Sequence, residues 1–178
     1  AAGAAPARRG GEAAARLMAA ARDARPMSRA AFERAEPRLR NRLLDAQFEL
    51  AQRADAALLV VATGVPAAGR TETLAQLVEW LDPKLVTTHA LPHAERWRTP
   101  AARWAESVPA RGRTSLVYGG WYEDLWYAAL RGGLEPAAQR RAFAQIRAFE
   151  TLLAHERVRV LKLHFEVDAA AQRRHFEE

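Results

Sequence analysis

A glycine-containing loop between an apolar run and an amphipathic helix is the feature that most constrains the fold of this chain. The run AALLVV at 56–61 is apolar without alternation, which is typical of a strand covered on both faces. The loop occupies residues 64–69. After it, four apolar residues recur at the spacing of one helix face: Leu74, Leu77, Val78 and Leu81. A strand, a turn and a helix in this order predict one unit of a parallel α/β sheet.

Strand-like segments recur along the rest of the chain, and helical segments separate them. The further strand candidates are residues 84–90, 114–118 and 158–165. Strands that alternate with helices predict a parallel sheet wrapped on both sides, because parallel strands need crossover connections. We therefore predict a three-layer α/β sandwich, built as one domain over residues 28–178.

Helices are expected at both ends of this domain. Ser28 is expected to cap a short helix through Phe32, and Pro37 to begin a longer one. Residues 137–155 form a long amphipathic segment. Its predicted buried face consists of Ala142, Ile146, Phe149 and Leu153. Asp168 is expected to cap a last helix.

Two further helical segments lie between the strands. Residues 95–108 are predicted to form a helix that Pro100 interrupts, and residues 121–130 a second helix. Glu123 and Asp124 lie one turn into the second segment, where acidic residues commonly stabilise a helix start. We expect both of these carboxylates to be exposed.

The composition excludes several classes of protein and site. The absence of cysteine rules out a disulfide framework, a thiol nucleophile and a cysteine-based metal site. No apolar stretch reaches the length of a membrane span. Residues 1–27 are predicted to be an Ala/Arg-rich tail or weak helix, and they lack the apolar block of a secretory signal. We predict a cytoplasmic protein with no membrane partner.

The formal net charge of the 178 residues is +6, which favours polyanionic partners. The basic residues are nearly all arginine, since Lys84 and Lys162 are the only lysines. They are scattered along the chain, and scattered arginines are equally typical of a solvated surface. Charge alone therefore leaves the partner open.

The loop matches the general phosphate-loop pattern at every position except one. Its spacing is Gly64-x-x-x-x-Gly69-Arg70-Thr71, with arginine at the usual lysine position. Such a loop binds anions because backbone N–H groups and the helix N-terminus point at the ligand. Four residues are accordingly the candidate phosphate-binding set: Gly64, Gly69, Arg70 and Thr71.

The chemistry expected of this loop is weakened at several positions. Lysine supplies a compact charge that follows a transferring phosphoryl group, whereas Arg70 presents a longer, planar fork suited to holding one. Pro66 removes one N–H donor from the loop. Thr71 offers a hydroxyl for Mg²⁺, which favours retained activity. The third strand ends at Tyr118 and Gly119 without a carboxylate, so no metal site is predicted and Mg²⁺ is expected only if the domain is active.

Several blocks of sequence, in order, resemble the polyphosphate kinase 2 family. The blocks are PRLRNRLLDAQFEL, GVPAAGRTETLAQLVEWLDPK, WAESVPARGRTSLVYGGWYEDL and IRAFETLLAHERVRVLKLHFEVDAAAQRRHFEE. The resemblance covers about Ala30 to Glu178 and implies a P-loop kinase-like fold. It also implies phosphoryl transfer between inorganic polyphosphate and nucleotides, with AMP or ADP as the nucleotide.

Four positions depart from the pattern of active members of that family. Such members carry Asp at the position of Pro66, Lys at Arg70, and an Asp-Arg pair at Tyr118 and Gly119. The chain most resembles the first of two tandem domains in polyphosphate:AMP phosphotransferases, in which the first copy is degenerate and the second catalyses. It also ends where the family continues into a basic lid, so most of the lid is expected to be missing. No catalytic residue is carried over.

The resemblance adds a second group of candidate residues. In the family, the segment after the second strand borders the polyphosphate channel. Three arginines of this chain fall there and are possible polyanion contacts: Arg96, Arg98 and Arg103. A plain surface role remains the alternative for all three.

Three functions stay open on this basis. The first is a degenerate phosphotransferase domain, a pseudoenzyme of polyphosphate metabolism, which binds polyanions or assembles with an active copy as a homo-oligomer or tandem partner. The second is an active polyphosphate-dependent AMP or ADP phosphotransferase that uses Arg70 and Thr71 with Mg²⁺. The third and least favoured is a basic nucleic-acid-binding module, which requires exposed aromatic side chains for base stacking.

Overall fold

A computed structural model describes residues 27–91, 98–132 and 134–177, and the chain divides into two units, Ala1–Leu39 and Arg40–Glu178. The described part of the first unit belongs to helix α1, Arg29–Arg53, which begins there. Ser28 caps this helix, since its hydroxyl oxygen lies 3.3 Å from the donating N–H nitrogen of Ala31. The predicted tail at 1–27 lies almost wholly outside the described residues.

The structure of helix α1 differs from the expected pair of helices in this region. Pro37 lies inside the helix instead of beginning a second one, so the prediction of two successive helices is wrong. A proline in a helix interior removes one backbone hydrogen bond, but the residues that follow it can still complete theirs. The apolar residues after Pro37 keep helical spacing, and the helix therefore continues.

The second unit is built on a four-stranded parallel sheet in the order β2-β3-β1-β4. Its strands are β1 Ala57–Gly64, β2 Val86–Ala90, β3 Thr114–Tyr118 and β4 Val158–Phe165. All four overlap the predicted strand segments. β1 is central and pairs with both β3 and β4, so that Ala62 lies between Tyr118 and Leu163.

Helices separate the strands as expected. They are α2 Arg70–Trp80, α3 Pro100–Trp104, α4 Trp121–Gly132, α5 Pro136–His155 and α6 Ala169–Glu177. A short 3-10 helix, Ala105–Ser107, follows α3. Pro100 begins α3, with Thr99 as its cap, and so does not interrupt a described helix. None of the helices that the structure describes is both long and apolar enough to cross a membrane.

Two separate cores confirm the three-layer arrangement. On one face of the sheet, Leu59 and Val61 of β1 pack in a buried cluster with residues of α4 and α5. On the other face, Val60 and Ala62 pack with Leu74 of α2. Successive residues of a strand point to opposite faces, so the uninterrupted apolar sequence of β1 serves both cores.

Helix α5 buries the face that its sequence predicts. Ala142, Ile146, Phe149 and Leu153 are all buried in the cluster beneath the sheet. The ring of Phe149 meets the Trp121 ring edge-on at 5.3 Å between centroids. The start of α4 is thereby fixed against both α5 and the sheet.

We expect Ile146→Ala to lower the free energy of unfolding by about 2–5 kcal/mol, because it opens a cavity in this core. Leu152→Ala is the matched control, since Leu152 lies on the same helix with 53% of its surface exposed. Its effect should stay within about 0.5 kcal/mol. Urea unfolding of both variants measures the difference, and equal losses would contradict the assigned face of α5.

Candidate functional site

The glycine loop lies at the carboxyl end of the central strand. β1 ends at Gly64 and α2 begins at Arg70, so the loop joins the middle of the sheet to a helix N-terminus. The N–H groups of residues 69–71 have no hydrogen-bond partner among the described residues. Unpaired N–H groups at a helix N-terminus are the arrangement that binds anions.

Two glycines shape this loop for different reasons. Gly64 has a φ of +140°, and a Cβ there would lie 2.1 Å from the carbonyl oxygen of Phe165. The loop therefore touches β4 with no room for a side chain. Gly69 has a φ of +85° at the N-cap of α2, but a Cβ there would meet no atom within 4 Å. Gly69 is needed for its backbone conformation alone.

The guanidinium of Arg70 is held by a carboxylate from another helix. Its Nη1 lies 2.5 Å from Oε1 of Glu123, at the start of α4. The same oxygen accepts the backbone N–H of Gly64 at 3.0 Å. The side chain of Glu123 is 4% exposed and that of Arg70 is 24% exposed. The cation of the loop is therefore neutralised within the protein.

The second oxygen of this carboxylate has no such partner. Oε2 of Glu123 is buried and makes no hydrogen bond to the residues that the structure describes. A Cβ at Gly119 would lie 2.7 Å from it, so a glycine at the tip of β3 makes the room that the carboxylate occupies. The expectation that Glu123 and Asp124 are exposed acids is wrong, because both are buried.

Asp124 holds a second arginine on the neighbouring face of α4. Its Oδ2 accepts from Nε of Arg103 at 2.6 Å and from Nε1 of Trp104 at 2.9 Å. The side chain of Arg103 is only 12% exposed. Arg98 is exposed, and Arg96 lies outside the described residues. Of the candidate polyanion contacts, Arg98 is thus open to solvent and Arg103 has an internal partner.

The donor set does not fit a magnesium ion at this loop. Thr71 is exposed at the second position of α2, but Tyr118 and Gly119 bring no carboxylate to the tip of β3. The nearby acid, Glu123, is paired with Arg70. Across the described residues, no group of three or more His, Asp or Glu side chains could hold a metal ion. We therefore derive no step through Mg²⁺.

Helix α6 braces the outer side of the loop. Nε2 of Gln172 donates to the carbonyl of Pro66 at 2.9 Å, and Nδ1 of His175 donates to the carbonyl of Ala67 at 2.9 Å. These bonds use loop carbonyls and leave the loop N–H groups free. Sequence reasoning missed both contacts, because they join residues more than a hundred positions apart.

The lysine of β4 is also internally paired. Nζ of Lys162 lies 2.7 Å from Oε1 of Glu150, which also accepts from Nε1 of Trp121 at 3.0 Å. Burial is the largest single influence and lowers the pKa of Lys162, but Glu150 and Tyr122 together outweigh it, so that pKa is raised. Lys162 is thus a charged group tied to α4 and α5.

Comparison with protein families gives one match over most of the chain. The model described as polyphosphate kinase 2 matches residues 26–178. A polyphosphate:AMP phosphotransferase of Pseudomonas aeruginosa is 34% identical over 137 residues, and that of Pseudomonas syringae pv. tomato is 30% identical over 137 residues. These alignments cover 75% of this chain but only 28% of each relative, so the chain spans about a quarter of their length.

Solved structures give the same result. A structure described as a polyphosphate kinase 2 from Pseudomonas aeruginosa superposes with a TM-score of 0.77 at 29% identity. It covers 87% of this chain, which matches 35% of that chain. Polyphosphate Kinase 2 from Arthrobacter aurescens superposes with a TM-score of 0.75 at 21% identity, over 85% of this chain and 56% of that one. The second likeness supports the fold alone.

We expect Gly64→Ala to destabilise the protein more than Gly69→Ala. Gly69→Ala should cost about 1–2 kcal/mol, which is the penalty of the left-handed conformation. Gly64→Ala adds a clash with the backbone of β4 and should cost more than Gly69→Ala. Thermal unfolding of the two variants measures this order. The reverse order would show that the loop does not lie against Phe165.

We expect Asp124→Ala to cost about 3–5 kcal/mol, because it leaves the guanidinium of Arg103 buried without its counter-charge. Combining it with Arg103→Met should recover part of that loss, since no unpaired charge then remains. Urea unfolding of the two single variants and the double variant completes the cycle. Strictly additive losses of unfolding free energy in the double variant would argue against an interaction between Asp124 and Arg103.

Proposed function

We propose that this chain, which belongs to the polyphosphate kinase 2 family, is a degenerate polyphosphate:nucleotide phosphotransferase domain. In this proposal it recognises polyanions without transferring phosphate, and it acts beside an active copy. The observation that carries the proposal is the ion pair between Arg70 and Glu123.

This ion pair occupies Arg70, the loop cation on which phosphoryl transfer would depend. Catalysis of that transfer is almost entirely positioning and electrostatic stabilisation by a loop cation and metal ions. Arg70 is engaged by a carboxylate at 2.5 Å, so its charge is already compensated before any substrate arrives. The tip of β3 adds no acid to bind a metal. The two sources of positive charge for transfer, the loop cation and a bound metal ion, are therefore both weakened.

The part of the site that recognises anions is better preserved. The N–H groups of residues 69–71 are free of partners among the described residues, and they stand at the N-terminus of an eleven-residue helix. The guanidinium of Arg98 is exposed, and the chain carries a net charge of +6. These features support binding of a phosphate chain. Trp121 is completely buried and Trp126 is 43% exposed, so the aromatic side chains do not single out a base-stacking module.

Substrates and partners follow from the relatives by analogy. Two of those relatives are named for polyphosphate and AMP, and we propose polyphosphate, with AMP or ADP, as the ligands here. Because the chain matches about a quarter of each relative, most of their length lies in other parts that could carry catalysis. An active tandem domain or a second copy of the chain is therefore the proposed partner. The cytoplasm, where these nucleotides are used, is the compartment that the function requires.

The purified chain, given Mg²⁺, polyphosphate and either AMP or ADP, should produce no more nucleotide product than its Arg70→Ala variant. Polyphosphate binding should persist, and Arg98→Ala should weaken it by about two- to fivefold, as expected for one exposed charge. Chromatography of nucleotides and titration calorimetry measure the two quantities. Arg159→Ala, an exposed arginine on β4 away from the loop, is the control for charge.

Turnover that disappears in Arg70→Ala would contradict the proposal and make the domain an active phosphotransferase. Loss of both turnover and polyphosphate binding would leave assembly as the only remaining role. The two readouts therefore separate catalysis from recognition.

A further inference from the structure

We propose that the carboxylate of Glu123 is the resident anion of the loop and that it sets the affinity of the loop for phosphate. One of its oxygens, Oε1, lies 3.0 Å from the N–H nitrogen of Gly64 and 2.5 Å from Nη1 of Arg70. A backbone N–H of the loop and the first guanidinium of the helix are the donors that would hold a phosphate oxygen. Glu123 takes both.

The site is shaped to hold this carboxylate. Glu123 lies at the start of α4, whose first turn is anchored by the buried ring of Trp121. Gly119 leaves the space that Oε2 fills, since a Cβ there would come within 2.7 Å. Oε2 is buried and unpaired among the described residues, so the two bonds at Oε1 are what hold the charged group in place. The surrounding residues therefore hold the Glu123 carboxylate in this position as part of the folded structure.

The remaining donors of the loop stand beside this internal charge. The N–H groups of residues 69–71 have no partner among the described residues and stay available to a phosphate group. A phosphate bound there would lie next to the Glu123 carboxylate, and like charges at such separations repel. Phosphate must therefore displace Glu123 from Arg70 or bind without the guanidinium. Either route lowers the affinity.

This inference rests on the proposed function for the class of ligand, an oligophosphate, and for nothing else. It concerns affinity and not turnover. If the chain proves to be an active enzyme, the proposed function fails while the claim about Glu123 can still be tested by binding. If Glu123 proves irrelevant to binding, the proposed function is left as it stands.

The test compares Glu123→Gln with the unmodified chain in binding of tripolyphosphate, at fixed ionic strength and without metal. The amide oxygen of glutamine can still accept the N–H of Gly64, but the side chain carries no charge to hold Arg70. We expect tripolyphosphate to bind at least about tenfold more tightly, the worth of one charge-assisted hydrogen bond. Glu79→Gln, an exposed residue at the end of α2, makes the same change in net charge and should leave the affinity unchanged.

The gain must also depend on Arg70. In the double variant Glu123→Gln, Arg70→Ala the added affinity should disappear. Glu123→Asp provides a second route if the glutamine variant does not fold, because its carboxylate is one methylene shorter and should release Arg70 while keeping its charge. Binding equal to that of the unmodified chain in each folded variant, or a gain that survives without Arg70, would overturn the proposal.

Discussion

The geometry of the loop depends on one buried carboxylate. Oε1 of Glu123 joins three elements at a single point, because it belongs to α4, accepts the last N–H of β1 at Gly64 and pairs with the first residue of α2, Arg70. Ion pairs that are largely removed from solvent stabilise a structure only when their geometry is good and their partners are present. Here the pair fixes the loop between strand and helix without a ligand, while the neighbouring N–H groups remain free.

The adjacent acids of α4 explain why the positive charge of this chain is not concentrated at its loop. Glu123 forms an ion pair with Arg70. Asp124 forms an ion pair with Arg103 and accepts a hydrogen bond from the indole N–H of Trp104. Arg70, which the loop pattern assigns to phosphate, and Arg103, which the family resemblance makes a possible polyanion contact, thus both have partners inside the protein. The formal net charge of +6 counts all 178 residues and so does not measure the charge at the loop. Net charge therefore predicts attraction of polyanions to the surface better than it predicts the chemistry of the loop.

The fold could be predicted from the sequence because its main signals are local. The apolar run of β1, the stripe of Leu74 on α2 and the buried face of α5 around Ile146 all follow from periodicity over a few residues. The charges of the site could not be predicted, because an acid near a helix start is ordinarily exposed. The burial of Glu123 depends on Gly119, which makes room for its carboxylate, and on Arg70, which lies more than fifty positions away in the sequence. The domain boundary at residue 28 remains a prediction.

The arginine at the usual lysine position of the loop and the buried Glu123 form a single interaction. A lysine ammonium is a compact point charge, whereas the guanidinium of Arg70 has several N–H donors in a fixed plane. That fork can reach across from α2 to a carboxylate on α4 and remain 24% exposed to solvent. In such a pair the counter-charge of the loop arginine is supplied by the protein itself. Under the proposed function, the same pair opposes transfer chemistry, which needs a cation free to strengthen its contact in the transition state.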